Sequence, residues 1–261
     1  MTSLRHGLQS RLAEAKLAMM LLTRFPVGHI KDPAPSAAAA CWAFPLAGLA
    51  VGIATSVTMA GTLWLGLPHD IAAGLTLVVG VIATGGLHED GLADVADGFG
   101  GGRTRERKLE IMRDSHIGSY GALALIFMIG LRWSAMTTLA DRDPSGSFFG
   151  LVAIAILSRS VLPLVLAQLP PARQEGLGHS ASNPGSLRPA VSVGFGILTS
   201  MYLLGYWATL AVSISAGVTV LLAGWWSLRQ IGGQTGDVVG AIQQITDLFA
   251  WIVLLLISAS D

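Results

Sequence analysis

Charged side chains are scarce in this chain of 261 residues, where they make up 12% of the total while hydrophobic residues make up 52%. An ordinary soluble domain carries about 25% charged residues. The scarcity argues against a soluble globular domain and predicts an integral membrane protein. Basic and acidic residues balance to a formal net charge of zero. The basic residues gather in two blocks that apolar runs keep apart, so nucleic acid is not an expected partner.

Cysteine is nearly absent, because Cys41 is the only one in the sequence. A single thiol excludes a disulfide framework and a thiolate zinc site within one chain, so we interpret Cys41 as a packing residue. The N-terminus lacks a short apolar segment that ends in a small-residue cleavage site, and we expect no signal peptide. Internal repeats and a soluble appended domain are also lacking. We expect one integral-membrane domain over residues 1–261.

Long apolar runs dominate the rest of the chain and predict an all-α, polytopic transmembrane helix bundle, since a spanning helix needs about 20 mostly apolar residues. The fifth and sixth runs are continuous, and we divide them near Ala208 because one helix would overshoot the hydrocarbon core by about 25 Å. About seven spans are predicted: Cys41 to Leu67, Ile71 to Leu87, Ser119 to Ala140, Phe148 to Leu169, Ala190 to Ala208, Leu210 to Trp226, and Val238 to Ser258.

Lys and Arg in short loops predict the orientation, because these residues resist translocation. One basic block precedes the first span and another lies between the second and third, so we expect the N-terminus and both blocks in the cytoplasm. Residues 1–36 are predicted to be cytoplasmic or interfacial, with residues 11–25 along the membrane surface. The blocks are Arg5, Arg11, Lys16, Arg24 and Lys31, and Arg103, Arg105, Arg107, Lys108 and Arg113.

The densest acidic cluster lies in the segment 88–118, which we predict to be a cytoplasmic, glycine-rich active-site loop. Asp90, Asp94 and Asp97 stand at i, i+4 and i+7, on one face of a helix, and Glu89 lies one residue to the side. Aligned carboxylates repel one another, and a divalent cation relieves the repulsion. Magnesium commonly bridges protein carboxylates to substrate phosphates. We predict a Mg²⁺ site and a phosphate-containing substrate, with a solvated acidic helix end as the alternative.

Glycines and basic residues follow the acidic cluster in the same segment. Gly101 and its neighbours would let backbone amides approach a phosphate, and Arg103 could grip its oxygens, although the spacing is not that of a Walker loop. The basic run is equally well explained as a topology signal. Farther along, Arg113 could offset phosphate charge, Ser115 could contact substrate, and Asp114 could be a metal ligand or a general base. A salt bridge that ends a helix is the alternative for Arg113 and Asp114.

Three charged residues interrupt the apolar runs, and each is expected to face the bundle interior or a cavity. Arg159 could pair with Asp247 or contact an anionic substrate, whereas Arg132 is better explained by structural pairing. Near the C-terminus, the sequence RQIGGQTGDVVGA places a turn at the start of the last span. Its candidates are Gly233 and Thr235 as substrate contacts and Asp237 as part of a joint site with Asp90, or as a helix cap.

Six motifs together resemble one family, the cobalamin synthases, which are adenosylcobinamide-GDP ribazoletransferases of the cobamide pathway. They span nearly the whole chain: LLTRFPV, FPLAGLAVG, GGLHEDGLADVADGFGGG, RDSHIGSYGA, LSRS around Arg159, and GGQTGDVVGA. The resemblance implies a multi-pass, magnesium-dependent transferase of the inner membrane. It would transfer the phosphoryl-cobinamide moiety of adenosylcobinamide-GDP to α-ribazole or its 5'-phosphate, giving adenosylcobalamin or its 5'-phosphate and releasing GMP.

The resemblance also implies roles for the candidate residues. Glu89, Asp90, Asp94 and Asp97 would hold the metal, and Asp94 or Asp97 would take the proton of the ribazole hydroxyl. Arg113, Arg159 and the glycine-rich turns would contact phosphates or nucleotide, and Asp237 would complete the site. Membrane lipid is an expected partner. A homo-oligomer and an association with other cobalamin-assembly enzymes stay open.

Part of this sequence pattern is also compatible with other functions. Asp90 and Asp94 form a DxxxD pattern that also suits a membrane prenyltransferase, and DG followed by further aspartates is similar to CDP-alcohol phosphotransferases. This chain lacks the Ala-Arg that follows DG in CDP-alcohol phosphotransferases, and its aspartates are spaced differently. A transporter would use Arg132, Arg159 and Asp247 as pathway residues. Because this chain concentrates its charges near one membrane surface rather than at the midplane, the sequence favours an enzyme.

Overall fold

The structure, a computed structural model, describes residues 2–30 and 32–259, with side chains from residue 7 onward. Lys31 and the side chain of Arg5, both used to predict orientation, lie outside that part. The described residues form an all-α bundle whose extended pairing is limited to one bridge, Pro171 with Gln234. A 3-10 turn, Cys41–Ala43, joins the second and third helices. The helices are α1 Thr2–Leu22, α2 Ala37–Ala40, α3 Phe44–Trp64, α4 His69–Thr84, α5 Leu87–Gly101, α6 Arg105–Ile111, α7 Ser119–Arg142, α8 Pro144–Ser160, α9 Leu162–Gln168, α10 Leu177–Ser180, α11 Leu187–Ile231 and α12 Gly236–Ser258.

Helix length and composition identify the elements that can cross a membrane. Among the described residues, five helical segments are long and apolar enough, or six if the bent pair α4 and α5 counts as one span. The predicted all-α, polytopic class is confirmed. The count of seven spans is not confirmed by this test, which treats α11 as a single segment. The five are Ala37–Trp64, Ser119–Arg142, Pro144–Gln168, Leu187–Ile231 and Gly236–Ser258.

The long helix α11 is broken at Gly205, whose φ of 78° and ψ of 178° are not helical. Ser192 Oγ donates to the carbonyl oxygen of Ser160, while Gly224 faces Leu169. In a straight helix Ser192 and Gly224 would be about 48 Å apart, yet Ser160 and Leu169 are separated by only about 14 Å of helix. The two parts of α11 must therefore fold back on each other. The break predicted near Ala208 lies at Gly205.

The segment 88–118 is not a loop, which corrects the sequence prediction. Its first half is α5, and α4 meets α5 at an angle of 89°. Two glycines make this bend, because Gly85 and Gly86 have φ of 68° and 70°, a region that side chains other than glycine rarely adopt. The bend directs α5 back into the bundle, where it packs between α7 and α12. The predicted helical face of the acidic residues therefore runs from the surface into the bundle, since Asp90 is exposed, Asp94 is half-buried and Asp97 is buried.

The N-terminal helix α1 packs along α2 and α3 at the edge of the bundle. Glu14 is buried there and accepts a hydrogen bond from Trp42 Nε1 at 2.6 Å, and Arg11 Nη1 lies 2.7 Å from the same carboxylate. Leu8 and Leu12 remain exposed on the opposite face. These contacts are compatible with the interfacial position predicted for residues 11–25, and the cytoplasmic side assigned to it stays a prediction.

Candidate functional site

The candidate site forms where α5 and α12 approach each other closely. Gly91 lies so near α12 that a Cβ there would be 2.8 Å from the carbonyl oxygen of Asp237 and 3.0 Å from its Cα. One turn later in α12, a Cβ on Gly240 would be 3.3 Å from the Cα of His88. Small residues at a helix interface let two backbones approach in this way. The glycines of HEDG and GDVVG therefore bring the acidic residues of both helices together.

Three carboxylates meet at this crossing, and we call Asp90, Asp94 and Asp237 the carboxylate site. Asp90 and Asp94 occupy one face of α5, and Asp237 lies in the first turn of α12. The charge of Asp94 is repelled most by Asp237 and then by Asp90, and is attracted by Arg173. No hydrogen-bond donor of the described residues contacts the carboxylates of Asp90 and Asp94. The predicted joint site of Asp90 and Asp237 agrees with this arrangement.

The turn before α12 holds Asp237 in place. Thr235 is the N-cap of α12, and its Oγ1 accepts a hydrogen bond from the backbone amide of Val238 at 3.3 Å and donates to Asp237 Oδ2 at 3.2 Å. A hydroxyl at this position satisfies a free amide of the helix terminus. Thr235 thus positions a carboxylate of the site besides capping the helix. The cap predicted at Asp237 is instead Thr235, and the site role of Asp237 stays a prediction.

Arg173 is the basic partner of the carboxylate site, and the sequence prediction missed it. Its Nη1 donates to Asp237 Oδ2 at 3.1 Å, and its Nη2 donates to the carbonyl oxygen of Leu109 in α6 at 3.1 Å. Its Nε is buried without a hydrogen bond. Gly233 explains its position, because a Cβ there would collide with the carbonyl oxygen of Pro170, and so a larger residue would push away the strand-like segment that carries Arg173.

A cavity of about 190 Å³ opens beside these residues. Asp90, Asp237 and Arg173 line it together with His88, which is 2% exposed and has no hydrogen bond at either ring nitrogen. A buried polar atom without a partner usually finds one in water or a ligand. His88 is a second residue that the sequence pattern does not indicate, because imidazole is a poor ligand for magnesium. Its unpaired nitrogens in a charged cavity mark it as a candidate substrate contact.

Glu89 does not belong to this site, which corrects the predicted metal set. One residue from Asp90, it points to the other side of α5, where Glu89 Oε1 accepts a hydrogen bond from Gln244 Nε2 at 3.1 Å. Arg132 lies nearby, with its Nε 3.3 Å from Asp247 Oδ2. The structural pairing expected for Arg132 is present. Arg159, expected to pair with Asp247 or to contact an anion, forms no ion pair within 4.0 Å among the described residues, and its Nη1 donates to the carbonyl oxygen of Ala155.

Asp97 has a different environment again. Its Oδ2 accepts a hydrogen bond from the amide of Gly118 at 2.7 Å, and its Oδ1 accepts one from the amide of Gly121 at 2.9 Å. Both oxygens therefore bind the N-terminus of α7, where free amides and the helix dipole favour a carboxylate. Together with the position of Glu89, this means that the predicted four-carboxylate metal site is not gathered in the structure.

Asp114 lies near Asp97 at a shallow surface depression of which Gly101 also forms part. Its Oδ1 is 2.7 Å from His116 Nδ1 and accepts the His116 backbone amide at 3.0 Å. The hydrogen bond from the His116 side chain holds the pKa of Asp114 below its ordinary value, and the backbone hydrogen bond adds to this. A carboxylate with a lowered pKa is a weaker base. The catalytic role predicted for Asp114 stays a prediction, at a position outside the cavity of the carboxylate site.

The remaining candidates lie on the surface around α6. Arg113 borders a depression that Arg173 also lines, so the two guanidinium groups share one surface. Arg103 and Ser115 are exposed and do not line the cavity of the carboxylate site. In α6 itself, Arg105 Nε donates to the carbonyl oxygen of Ile231 at 2.8 Å, which fixes the basic helix to the end of α11. The substrate contacts predicted for Arg103, Arg113 and Ser115 stay predictions.

A magnesium ion held by the protein alone would need several side-chain oxygen ligands at one place. Among the residues that the structure describes, no group of three or more His, Cys, Asp or Glu side chains is placed to hold a metal ion. A closed protein site is therefore not formed. Magnesium usually keeps several waters and takes one or two carboxylates plus substrate phosphates. The carboxylate of Asp90, which has no hydrogen bond among the described residues, and that of Asp237, which lines the same cavity, fit that second arrangement.

Comparisons with known proteins agree with this chemistry. A family model described as cobalamin-5-phosphate synthase matches residues 14–255. Relatives named adenosylcobinamide-GDP ribazoletransferase come from Bradyrhizobium diazoefficiens, Mesorhizobium japonicum and Azorhizobium caulinodans, with identities of 44%, 43% and 44%. The matches cover 95%, 93% and 95% of this chain and 94%, 92% and 97% of the relatives. No solved structure matches the chain. The protein, with its paired carboxylate helices, belongs to the cobalamin-5-phosphate synthase family.

Proposed function

We propose that the protein transfers the phosphoryl-cobinamide moiety of adenosylcobinamide-GDP to α-ribazole or its 5'-phosphate and releases GMP. A hydroxyl oxygen of the ribazole forms a bond to the cobinamide-bearing phosphorus, and the bond from that phosphorus to the GMP oxygen breaks. Adenosylcobalamin, or its 5'-phosphate, is the product. The observation that carries the proposal is that Asp90, Asp237 and Arg173 line one cavity, with Asp94 close enough to feel the charges of all three, in a chain that belongs to this family.

The charges of the site suit a diphosphate. The diphosphate of the substrate adds negative charge beside three carboxylates. A cation must offset the charge of the diphosphate and that of the carboxylates. Magnesium, when bound, neutralises the charge that develops on the leaving GMP. Asp90 and Asp237 would hold it, since both line the cavity beside the close contact of α5 with α12. Arg173 is next to Asp237 and has a buried Nε free for a phosphate oxygen. Guanidinium groups bind phosphate oxygens well.

Asp94 is the group that takes the proton of the ribazole hydroxyl. No donor of the described residues hydrogen-bonds its carboxylate, and it is half-buried between the charges of Asp237 and Asp90. The other sequence candidate, Asp97, has both oxygens bound to amides of α7. A base must reach the proton that it removes, and a carboxylate already bound on both oxygens is poorly placed to do so.

The site faces the cytoplasm of a cell with an inner membrane in this proposal. The helix α6, with Arg105, Arg107 and Lys108, is adjacent to Arg173 and therefore on the same side of the bundle as the carboxylate site. Basic residues next to spans favour the cytoplasmic side. The nucleotide substrate and the released GMP are charged and water-soluble, so a site on that side exchanges them without crossing lipid.

The division of roles is tested with two isosteric substitutions in purified protein. We expect Asp90→Asn to raise the magnesium concentration needed for half-maximal GMP release by about tenfold or more, because a metal ligand loses its charge. Asp94→Asn should lower kcat by about 10²–10⁴-fold, the usual contribution of a general base, without a change in magnesium requirement. Glu106→Gln, on the exposed face of α6, is the matched acidic control. Near-wild-type turnover in both site variants, with normal magnesium dependence, would contradict the proposal.

A further inference from the structure

A second cavity, of about 370 Å³, lies inside the bundle on the other side of α5. Its walls come from α3, α4, α7, α8 and α12 and are mostly apolar. Three of its lining residues, Val78 and Ile82 of α4 and Ile129 of α7, are 53%, 67% and 42% exposed. The cavity therefore opens sideways between α4 and α7, toward the lipid that would surround the spans. We call it the lateral cavity.

Charged groups lie at the inner end of the lateral cavity, where Glu89, Arg132, Arg159 and Asp247 all line it. Arg132 Nη1 donates to Gln244 Oε1 at 2.8 Å and is 4.0 Å from Glu89 Oε1. Arg132 Nε and Asp247 Oδ2 pair with each other at 3.3 Å, whereas Glu89 Oε2 and Arg159 Nε are buried with neither a hydrogen bond nor an ion-pair partner among the described residues. Leaving such atoms unpaired costs about 1–3 kcal/mol each, and more when they are charged.

The unpaired atoms define what the lateral cavity can bind. The unpaired acceptor is on Glu89 and the unpaired donor is on Arg159, and both residues line the cavity. The formal charges of Glu89, Asp247, Arg132 and Arg159 cancel. A ligand anion would meet two carboxylates, and a ligand cation would meet two guanidinium groups. A neutral group with a donor and an acceptor next to each other can satisfy both kinds of atom. The apolar walls and the lateral opening require that the rest of the group be apolar.

We propose that the lateral cavity binds a neutral, largely apolar group that carries adjacent hydrogen-bond donors and acceptors, and that this group is part of a substrate. The inference rests on the proposed function, which supplies two sources of that chemistry. One is the flat, methylated base and sugar hydroxyls of α-ribazole, and the other is a primary amide arm of the cobinamide. Pockets of about 300–1,000 Å³ hold ligands of such size. The whole corrin ring is too large, so only an arm of it would enter.

The position of the lateral cavity agrees with a substrate contact. Glu89 and Asp90 are consecutive in α5, so the lateral cavity and the carboxylate site lie on two sides of the same helical turn. His88, in that same turn, lines the cavity of the carboxylate site. A substrate held at one side can therefore be positioned for reaction at the other.

The test fills the lateral cavity without touching its charges. Gly74 of α4 lines it, and a Cβ there would meet only Trp133 Nε1, at 3.9 Å, so Gly74→Leu has room to fold. Gly130→Leu on α7 is the matched control, because a Cβ at Gly130 meets nothing within 4 Å and Gly130 does not line the cavity. Thr55→Leu fills from α3, with Thr58→Leu as its control; both hydroxyls bond only to their own helix.

Initial rates of GMP release are measured against each substrate in turn. We expect both filling variants to raise KM about tenfold for one substrate, with kcat within about twofold of wild type and the other KM unchanged. A raised KM for α-ribazole identifies the nucleoside as the occupant, and a raised KM for adenosylcobinamide-GDP identifies the cobinamide arm. Unchanged KM values for both substrates, in a wild-type background that is active, would overturn the inference and leave the proposed function intact.

Equilibrium binding distinguishes a failure of the proposed function from a failure of the inference about the lateral cavity. If the wild-type protein releases no GMP, the proposed function fails, and binding of α-ribazole and of adenosylcobinamide is then measured without turnover. A weaker affinity for either compound in Gly74→Leu than in Gly130→Leu supports the lateral cavity as a binding site. Equal affinities in the two variants, or no binding by any of them, overturn it.

Discussion

The contact between α5 and α12 sets the geometry of the carboxylate site, and Gly91→Ala tests this directly. The added Cβ would be 2.8 Å from the carbonyl oxygen of Asp237 and 3.0 Å from its Cα. Because non-bonded carbon atoms prefer about 3.5–4.0 Å, the two helices must separate by about 0.5–1 Å. A displacement of about 1 Å in a catalytic arrangement can cost about 10²-fold in rate. We expect kcat/KM for GMP release to fall by about 10- to 100-fold.

The same substitution should change stability much less. Overpacking costs about 1–3 kcal/mol, whereas alanine in place of glycine within a helix stabilises by about 0.5–1 kcal/mol. The net loss in the free energy of unfolding is then about 0–2.5 kcal/mol, which leaves the protein folded at moderate temperature. Gly91→Ala should therefore separate a large loss of activity from a small change in the thermal unfolding of the detergent-solubilised protein.

Two further glycines provide a graded comparison. A Cβ on Gly240 would be 3.3 Å from the Cα of His88, a milder contact across the same helix pair, and a Cβ on Gly130 meets nothing within 4 Å. Activity should fall in the order Gly130→Ala, Gly240→Ala, Gly91→Ala, with the first close to wild type. If Gly91→Ala is as active as Gly130→Ala, the separation of α5 and α12 does not control the site and the reasoning is refuted.

Two other side chains give separate predictions. Arg173→Lys should raise KM for adenosylcobinamide-GDP about tenfold, because a lysine cannot bond Asp237 and the Leu109 carbonyl together as the guanidinium does. Glu175→Gln, at the same cavity, is the control. An equal rise in KM for both variants would show a general loss of structure. Asp97→Asn should lower the free energy of unfolding by about 1 kcal/mol through its contacts with α7, with no change in magnesium requirement. A magnesium titration that shifts in Asp97→Asn would instead place this carboxylate at the metal.

Local helical geometry explains which site residues could be predicted. Asp90 and Asp94 are one turn apart, so their shared face follows from 3.6 residues per turn wherever the helix lies. The same arithmetic rotates Glu89 by about 100° from Asp90, enough to place it in the lateral cavity. Sequence spacing could not show that α5 packs on both faces inside the bundle. Spacing alone therefore groups Glu89 with Asp90 and Asp94, although Glu89 lies on a different face of α5 and contacts different residues.

Contacts between distant segments could not be predicted in the same way. Arg173 reaches Asp237 because the backbone of Gln234 pairs with Pro170 and Ala172, with N–O distances of 2.8 Å in both hydrogen bonds. No periodicity in either segment indicates this pairing, and in the sequence Arg173 is one basic loop residue among several. The break in α11 was easier to predict, since its length alone requires one. Gly205, the flexible residue that provides the break, lies near the predicted point.

The two cavities differ in what they contribute to one transfer. The carboxylate site is at the end of the bundle, where Asp90 is exposed and charges can be exchanged with water, so it suits a diphosphate and a magnesium ion. The lateral cavity opens toward lipid and balances its own charges, so it suits an uncharged part of a substrate. Desolvating a diphosphate in such a place would be costly, whereas an apolar group gains from leaving water. The turn of α5 that carries Glu89 and Asp90 thus divides an amphipathic reaction between a polar and an apolar environment.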